Sequence, residues 1–182
     1  MAIYIIIVIS IAISLLCISS YNGLIQVEEN IKKAFANIDV LLMQRSDELP
    51  KLVDTVKAFV SHEKEIFANV LKARETMLSA KTVSEKAEAS GGISNALKSV
   101  FALSEAYPEL GSNENFMKLQ GRISDLENSI ADRREFYNES VNNYNIRIKT
   151  IPDIIIARMM NLTAKEMFQV PEEKKEDVKI NF

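Results

Sequence analysis

The first 21 residues form a mostly apolar run with four serines, and the chain carries no charged side chain before Glu28. About 20 apolar residues in a helix, each rising about 1.5 Å, span the roughly 30 Å of a bilayer's hydrocarbon core. A helix also satisfies its own backbone hydrogen bonds, which a lipid environment requires. The pattern therefore predicts a transmembrane anchor over residues 1–21, with the polar remainder on one side of the membrane.

The residues of the apolar run weigh against two other interpretations. A cleaved signal peptide has basic residues ahead of the apolar stretch, and no Lys or Arg stands there. Lipid attachment at Cys17 would need small residues before the cysteine, where Leu15 and Leu16 stand. A buried core helix remains the third alternative.

After the anchor, apolar residues recur at alternating steps of three and four, which is the heptad pattern of packed helices. The pattern predicts a helix over residues 22–46 and a second over 50–80, because Pro50 is comfortable in the first turn of a helix. The first apolar seam consists of Leu24, Val27, Ile31, Ala34, Ile38 and Leu41. Two long helices joined by a short link predict an antiparallel hairpin.

The middle of the chain begins with its least regular stretch. Residues 81–92 contain Gly91 and Gly92, and we expect no more than a short helical piece there, over residues 85–89. Two further helices are predicted over residues 93–107 and 113–150. The seam of the longer one is Phe116, Leu119, Ile123, Leu126, Ile130, Tyr137, Val141, Tyr144 and Ile148.

The C-terminal part should hold one short helical segment over residues 153–168, with a capping box from Thr163 to Glu166. Residues 169–182 form a charged tail, whose end either docks as an extended finger or stays free. The finger residues are Val178, Ile180 and Phe182. The predicted fold class is all-α: an N-terminal transmembrane helix followed by an elongated antiparallel four-helix bundle over residues 22–168.

Charge and composition narrow the function. The chain has 22 basic and 25 acidic residues and a net charge of -3, which argues against a nucleic-acid partner. The few glycines and prolines favour helices. Lys32 and Lys33 follow the anchor closely and no Lys or Arg precedes it, so the positive-inside rule predicts a cell-membrane protein with an external N-terminus and a cytoplasmic domain.

Residues for catalysis or metal binding do not form a recognisable motif. His62 is the single histidine, and His62-Glu63 resembles the zinc motif HExxH, but Ile66 stands where its second histidine belongs. We therefore expect no catalytic residue, metal or cofactor. The alternative is a membrane-tethered hydrolase or metal-binding enzyme that uses His62 with Glu63 and Glu105.

Two groups of polar residues are candidates for interaction or helix register. Tyr-Asn pairs recur one heptad apart, and they read either as a docking stripe for a partner or as an internal layer that sets register. Three charged residues are candidates for buried or half-buried ion pairs. The candidate positions are Tyr137, Asn138, Tyr144, Asn145, Arg45, Glu105 and Arg134.

Several of these stretches resemble one known family. The first half carries YN-x-L, A-x-x-x-ID, R-x-D-x-x-P-x-LV and VK-x-x-x-x-HE, and the second carries EAYP, NxxF, LQ, ENxIA and the paired YN. Together they are similar to the LemA family over nearly the whole chain from the anchor to Phe182. Gln44, Lys51 and Gly111 depart from the family's usual arginine, asparagine and lysine. The family usually has a pair of arginines where this chain has Gln44 and Arg45, so a polar network that needs both arginines is not expected here.

The resemblance implies an N-terminal transmembrane helix, a short or absent external N-terminus, and a cytoplasmic helical domain that is an elongated bundle of antiparallel helices. It carries no catalytic residues across, because the family has no established activity. Pattern and resemblance together predict a membrane-anchored, non-enzymatic interaction or scaffold protein. Its expected partners are the bilayer through residues 1–21, a membrane or cytoplasmic protein, and further copies of itself. A membrane-remodelling or secretion accessory that oligomerises through the anchor is a third hypothesis.

Overall fold

The structure is a computed structural model that describes residues 1–169. Within that range every regular element is a helix, which confirms the all-α class. The helices are α1 (Ala2–Lys57), α2 (Lys64–Ser79), α3 (Val83–Ala106), α4 (Pro108–Gly111), α5 (Glu114–Arg147) and α6 (Asp153–Met159). They form two compact units: the first holds Met1–Leu41 and Ser129–Met167, and the second holds Leu42–Asn128 and, among the described residues, 168–169. The four-helix bundle stays a prediction.

The N-terminal part of α1 turns its apolar side chains outward. Among the described residues, α1 is the helix that is long and apolar enough to cross a membrane. No residue of its most apolar 18-residue stretch is buried within the protein. The hydroxyls of Ser10 and Ser14 donate to the carbonyls of Ile6 and Ser10 along the same helix. These two hydroxyls are thus satisfied within the helix, as a lipid environment requires.

In the first unit, the part of α1 that follows the apolar run packs against α5. Gly23 lies beside the Arg147 side chain, and the Phe35 ring lies 5.8 Å from the Tyr137 ring. From the first of these contacts to the second, the residue number rises along α1 and falls along α5. The two helical segments therefore run antiparallel. The buried apolar residues of this unit include Leu24, Ile31, Ala34, Ile38, Ile130, Val141 and Ala157.

The second unit packs the end of α1 with α2, α3, α4 and the start of α5. The predicted break before Pro50 is wrong, because α1 runs through Pro50 to Lys57. Proline has no N–H and so leaves the carbonyl four residues earlier without its helical partner. Here that carbonyl belongs to Ser46, and Arg74 Nε on α2 donates to it at 3.1 Å. A long-range contact therefore supplies the hydrogen bond that Pro50 cannot.

Because α1 continues to Lys57, the first link between helices covers residues 58–63, which lie inside the predicted second helix. α2 is accordingly shorter than predicted and covers Lys64–Ser79. Its buried residues, Phe67, Val70 and Met77, recur at steps of three and seven, as the heptad pattern of a packed helix requires. The heptad pattern located the packed face correctly although it misplaced the link.

The prediction for residues 81–92 is also wrong, because α3 already begins at Val83. The Thr82 side chain accepts from the Glu85 N–H, and the Glu85 carboxylate accepts from the Thr82 N–H, which together form a capping box. Such a box satisfies two amides that a helix start leaves without partners. Gly92 lies within the helix with open space where a Cβ would be.

At the C-terminal end, α6 stops at Met159, so the predicted helix over 153–168 is too long. Asn161 has a left-handed backbone, with φ of 54°, which commonly terminates a helix. Residues 162–169 have no regular secondary structure, and the capping box predicted at Thr163 is wrong. The predicted finger at the end of the tail lies outside the described residues.

Candidate functional site

The Tyr-Asn positions of α5 hold a segment of the same chain that has no regular secondary structure. We call residues 162–167 the strap. The Asn145 amide donates to the Lys165 carbonyl and accepts from the Lys165 N–H, both at 2.9 Å. The Tyr137 hydroxyl donates to the Glu166 carbonyl at 3.0 Å. These three hydrogen bonds all bind main-chain atoms, so they do not depend on the side chains of the strap.

The Lys165 side chain adds a charged contact to this clamp. Its ammonium lies 2.9 Å from Glu28 Oε1 and 5.3 Å from the centre of the Tyr144 ring. The hydrogen bond from Lys165 lowers the pKa of Glu28, more than its partial burial raises it. Burial raises the pKa of Tyr137 and of Tyr144, so both phenols stay protonated near neutral pH.

These contacts bear on both interpretations of the Tyr-Asn stripe. Tyr137 and Tyr144 are buried, and Asn138 and Asn145 are half-buried. The stripe does act as a binding surface, and the strap of its own chain occupies it. A role for these four residues in binding another protein stays a prediction.

A second polar cluster lies inside the second unit around Arg45, whose side chain is 2% exposed. Its guanidinium contacts Glu127 Oε1 at 3.0 Å, Ser94 Oγ at 3.1 Å, and the Ser90 hydroxyl at 2.8 Å and carbonyl at 3.2 Å. Ser94 also donates to Glu127 at 2.9 Å. We call Arg45, Ser90, Ser94 and Glu127 the Arg45 cluster. It joins α1, α3 and α5 by hydrogen bonds to a buried cation.

One turn further along α1, the second unit buries a carboxylate. The Glu48 side chain is 3% exposed and lies 3.0 Å from Arg122 Nε and 3.2 Å from Lys51 Nζ. A buried carboxylate is tolerated when such partners compensate its lost hydration. Two oppositely charged groups of α1, Arg45 and Glu48, thus each face a charge of the opposite sign on α5. A shift in helix register would separate both pairs.

Sequence reasoning missed several members of these clusters. Glu48 lies in the stretch where the sequence predicts a break between two helices. Ser90 lies in the stretch 81–92, where the sequence predicts little helix. The available signal was an acidic residue three positions after Arg45, on the same helix face as the apolar seam.

The other two candidate ion-pair residues have different surroundings. Glu105 is exposed on α3, because Leu103 occupies the inward face there, so the prediction that Glu105 joins a buried pair is wrong. Arg134 is half-buried on α5 in the first unit, and burial lowers its pKa. The ion-pair partner that the structure assigns to Arg45 is Glu127.

The three residues of the enzymatic alternative, His62, Glu63 and Glu105, form no metal-ligand group among the described residues. His62 is exposed in the link before α2, and Glu63 is half-buried at the start of that helix. Among residues 1–169, no three His, Cys, Asp or Glu side chains come together as metal ligands could. The described part of the chain therefore assembles no acidic or histidine cluster around His62.

A third polar cluster lies where the apolar run ends. Ser20 is buried, and its hydroxyl donates to one carboxylate oxygen of Asp153, at the start of α6, while Arg147 Nε donates to the other. Burial raises the pKa of Asp153, but the hydrogen bonds from Ser20 and Arg147 together outweigh it and hold the pKa below its usual value. The ionised carboxylate thereby ties α6 to α1 and α5.

The fold and the sites define a class of protein. It is an all-helical protein over the described residues, with an N-terminal helix apolar enough to cross a membrane and with polar clusters that join its helices. Residues 34–182 match the LemA family, so the chain belongs to that family. With its candidate membrane span, it is a membrane-associated protein of the LemA type.

Curated relatives include two magnetosome proteins of Paramagnetospirillum magneticum, MamQ 1 and MamQ 2. Each is 35% identical to this chain over 81 residues, which cover 44% of this chain and 30% of the relative. The magnetosome protein MamQ of Magnetospirillum gryphiswaldense is 23% identical, covering 81% of this chain and 64% of that protein. The chain thus spans less than two thirds of the length of these relatives.

Proposed function

We propose that the protein is a single-pass, membrane-anchored helical scaffold that binds another protein in the cytoplasm and performs no catalysis. The observation that carries this proposal is α1. One helix of 56 residues begins as an outward-facing apolar segment and continues as a core helix of both units. A helix that forms the candidate span and also contributes core residues to each unit suits a structural role.

The chemistry of the polar clusters supports a non-enzymatic role. The contacts named above for the Arg45 cluster and for the strap clamp are all made to groups of the same chain. A catalytic site instead keeps acids, bases or nucleophiles where a substrate can reach them. Buried charge pairs of this kind set the register of packed helices.

Orientation follows from the charges beside the span. Lys32 and Lys33 lie within about 15 residues of its end, a distance at which basic residues favour the cytoplasmic side. The test labels intact cells with a membrane-impermeant maleimide. The variants carry Cys17→Ser and one new cysteine, at exposed Lys72 of α2 or at Ala2.

A cytoplasmic domain predicts labelling of the Lys72→Cys variant only after the cells are permeabilised, and labelling of the Ala2→Cys variant in intact cells. The reverse pattern would overturn the orientation. Labelling of both in intact cells would overturn the transmembrane span itself.

The partner is tested by crosslinking intact cells and isolating the protein through a C-terminal tag. A stoichiometric protein that crosslinks to the wild type, and is lost when the Tyr-Asn stripe is altered, supports the scaffold. Crosslinks confined to copies of this chain would instead support a homo-oligomeric structural role. Turnover of a substrate that survives Arg45→Ala but not His62→Ala would favour the enzymatic alternative.

A further inference from the structure

α6 has one buried face and one strongly exposed apolar face. Asp153 and Ala157, four residues apart, are buried. On the opposite side, Ile155 is 59% and Met159 76% exposed, and Ile151 just before the helix is 85% exposed. Large apolar side chains that lie together on a surface mark a site of interaction. The seven residues of α6 therefore present a face that needs a partner.

The position of α6 indicates which partner this is. Asp153, its first residue, accepts a hydrogen bond from Ser20, at the end of the apolar run of α1. Tyr21, the next residue, is exposed, as tyrosines at a membrane–water interface are. α6 therefore starts at the level where the candidate span leaves the hydrocarbon.

The charges around α6 fit a phospholipid surface. Residues 146–161 contain three basic side chains and one acidic one, Asp153, which Arg147 contacts. The other two basic residues, Lys149 and Arg158, are exposed. Exposed cations beside an apolar helix face are typical of helices that lie in the interfacial plane, where the cations meet anionic headgroups.

We propose that α6 is a second membrane contact, with Ile151, Ile155 and Met159 inserted at the boundary of headgroups and acyl chains. The proposal rests on the membrane anchoring proposed above. A helix this short binds a bilayer weakly alone, but attachment to a span confines it at the surface and makes its insertion intramolecular. The span and α6, joined through Ser20 and Asp153, would fix the rotation of the first unit about the span.

The experiment uses the full chain in vesicles of phosphatidylcholine containing one quarter phosphatidylglycerol, with or without brominated acyl chains that quench a fluorophore. The natural Cys17, exposed on the span, carries the fluorophore in the wild type and reports anchoring. In a Cys17→Ser background, Ile155→Cys and Met159→Cys carry it on α6. Phe136→Cys is the matched control, since Phe136 is an exposed apolar residue of α5 next to Tyr137, far along the helix from Arg147.

We expect brominated lipid to remove about half of the emission from labels at positions 17, 155 and 159, and less than about a tenth at position 136. Quenching at position 17 but not at 155 and 159 would overturn the inference and leave the anchoring intact. No quenching at position 17 would overturn the anchoring and the inference with it. Shielding of position 155 that depends on protein density but not on brominated lipid would identify a second copy as the occupant and would overturn the inference.

Discussion

The first unit uses its polar side chains mainly to hold a non-helical segment, whereas the second unit uses them to hold helices against one another. In the first unit, Asn145 and Tyr137 bind main-chain atoms of the strap. In the second, Arg45 and Glu48 are buried charges paired across helices. Loss of a strap contact frees a few residues, while loss of a buried charge partner affects the packing of several helices.

Replacement of Arg45 by alanine tests the second unit and should have the largest effect. The variant leaves the Glu127 carboxylate beside Ser90 and Ser94 without its cation. Breaking a buried pair in this way costs about 3–5 kcal/mol, and the lower end applies because Glu127 is 38% exposed. Urea unfolding followed by circular dichroism in detergent measures the loss.

The control for Arg45→Ala is Lys72→Ala, which removes an exposed cation from α2 and should change the unfolding free energy little. The double variant Arg45→Met with Glu127→Leu should recover much of the loss, because no unpaired charge remains. An equal cost for Arg45→Ala and Lys72→Ala would contradict the role assigned to the Arg45 cluster.

Replacement of Asn145 by alanine tests the first unit. It removes both hydrogen bonds to the Lys165 main chain, a loss of about 1–3 kcal/mol at roughly 0.5–1.5 each. Because the strap is not helical, we expect local release in place of global unfolding. Hydrogen exchange at residues 162–167 should rise severalfold while the exchange of α1 stays unchanged.

Asn143→Ala provides the matched control, since Asn143 is exposed on the same helix. It should leave the exchange of the strap as in the wild type. Equal protection of the strap in both variants would show that Asn145 does not hold it.

The Tyr137→Phe variant should have a smaller effect of the same kind. It removes one hydroxyl that donates to the Glu166 carbonyl but keeps the ring against Phe35. The expected loss is about 0.5–1.5 kcal/mol, again seen as faster exchange in the strap. A global drop in stability as large as that of Arg45→Ala would argue against a contact confined to the strap.

The ion pair of Glu28 and Lys165 should produce the smallest effect, with a defined pH dependence. The pKa of Glu28 is lowered in the folded state, so the pair stabilises the strap above the unfolded pKa near 4.5 and loses its effect as pH falls through the folded value. For a partly exposed pair the contribution is about 0.2–1 kcal/mol. Strap exchange, corrected for intrinsic rates, should rise below pH 4.5.

Glu28→Gln should remove the part of this pH dependence that belongs to Glu28 and leave the part due to Asp153, whose pKa is lowered as well. An identical pH profile in the wild type and in Glu28→Gln would assign the whole effect to other carboxylates.

Hydrophobic periodicity predicted the packed faces well, since nearly every position of the α5 seam from Phe116 to Ile148 is buried or half-buried. It failed where a contact from elsewhere in the chain overrides a local signal. Pro50 marks a break by its own chemistry, yet Arg74 supplies the missing hydrogen-bond partner. Thr163 and Glu166 match a capping box, yet Asn145 and Tyr137 bind the backbone there in a non-helical form.

The sequence alone determined the apolar span, the all-helical class and the inward faces of the long helices, because each depends on the spacing of apolar residues along one segment. Only the tertiary structure decided which charges are buried, where α1 ends and what the Tyr-Asn stripe binds. Those outcomes depend on residues far apart in the chain, such as Arg45 with Ser90 and Glu28 with Lys165. No local pattern records which distant side chain will satisfy a given hydrogen-bonding group.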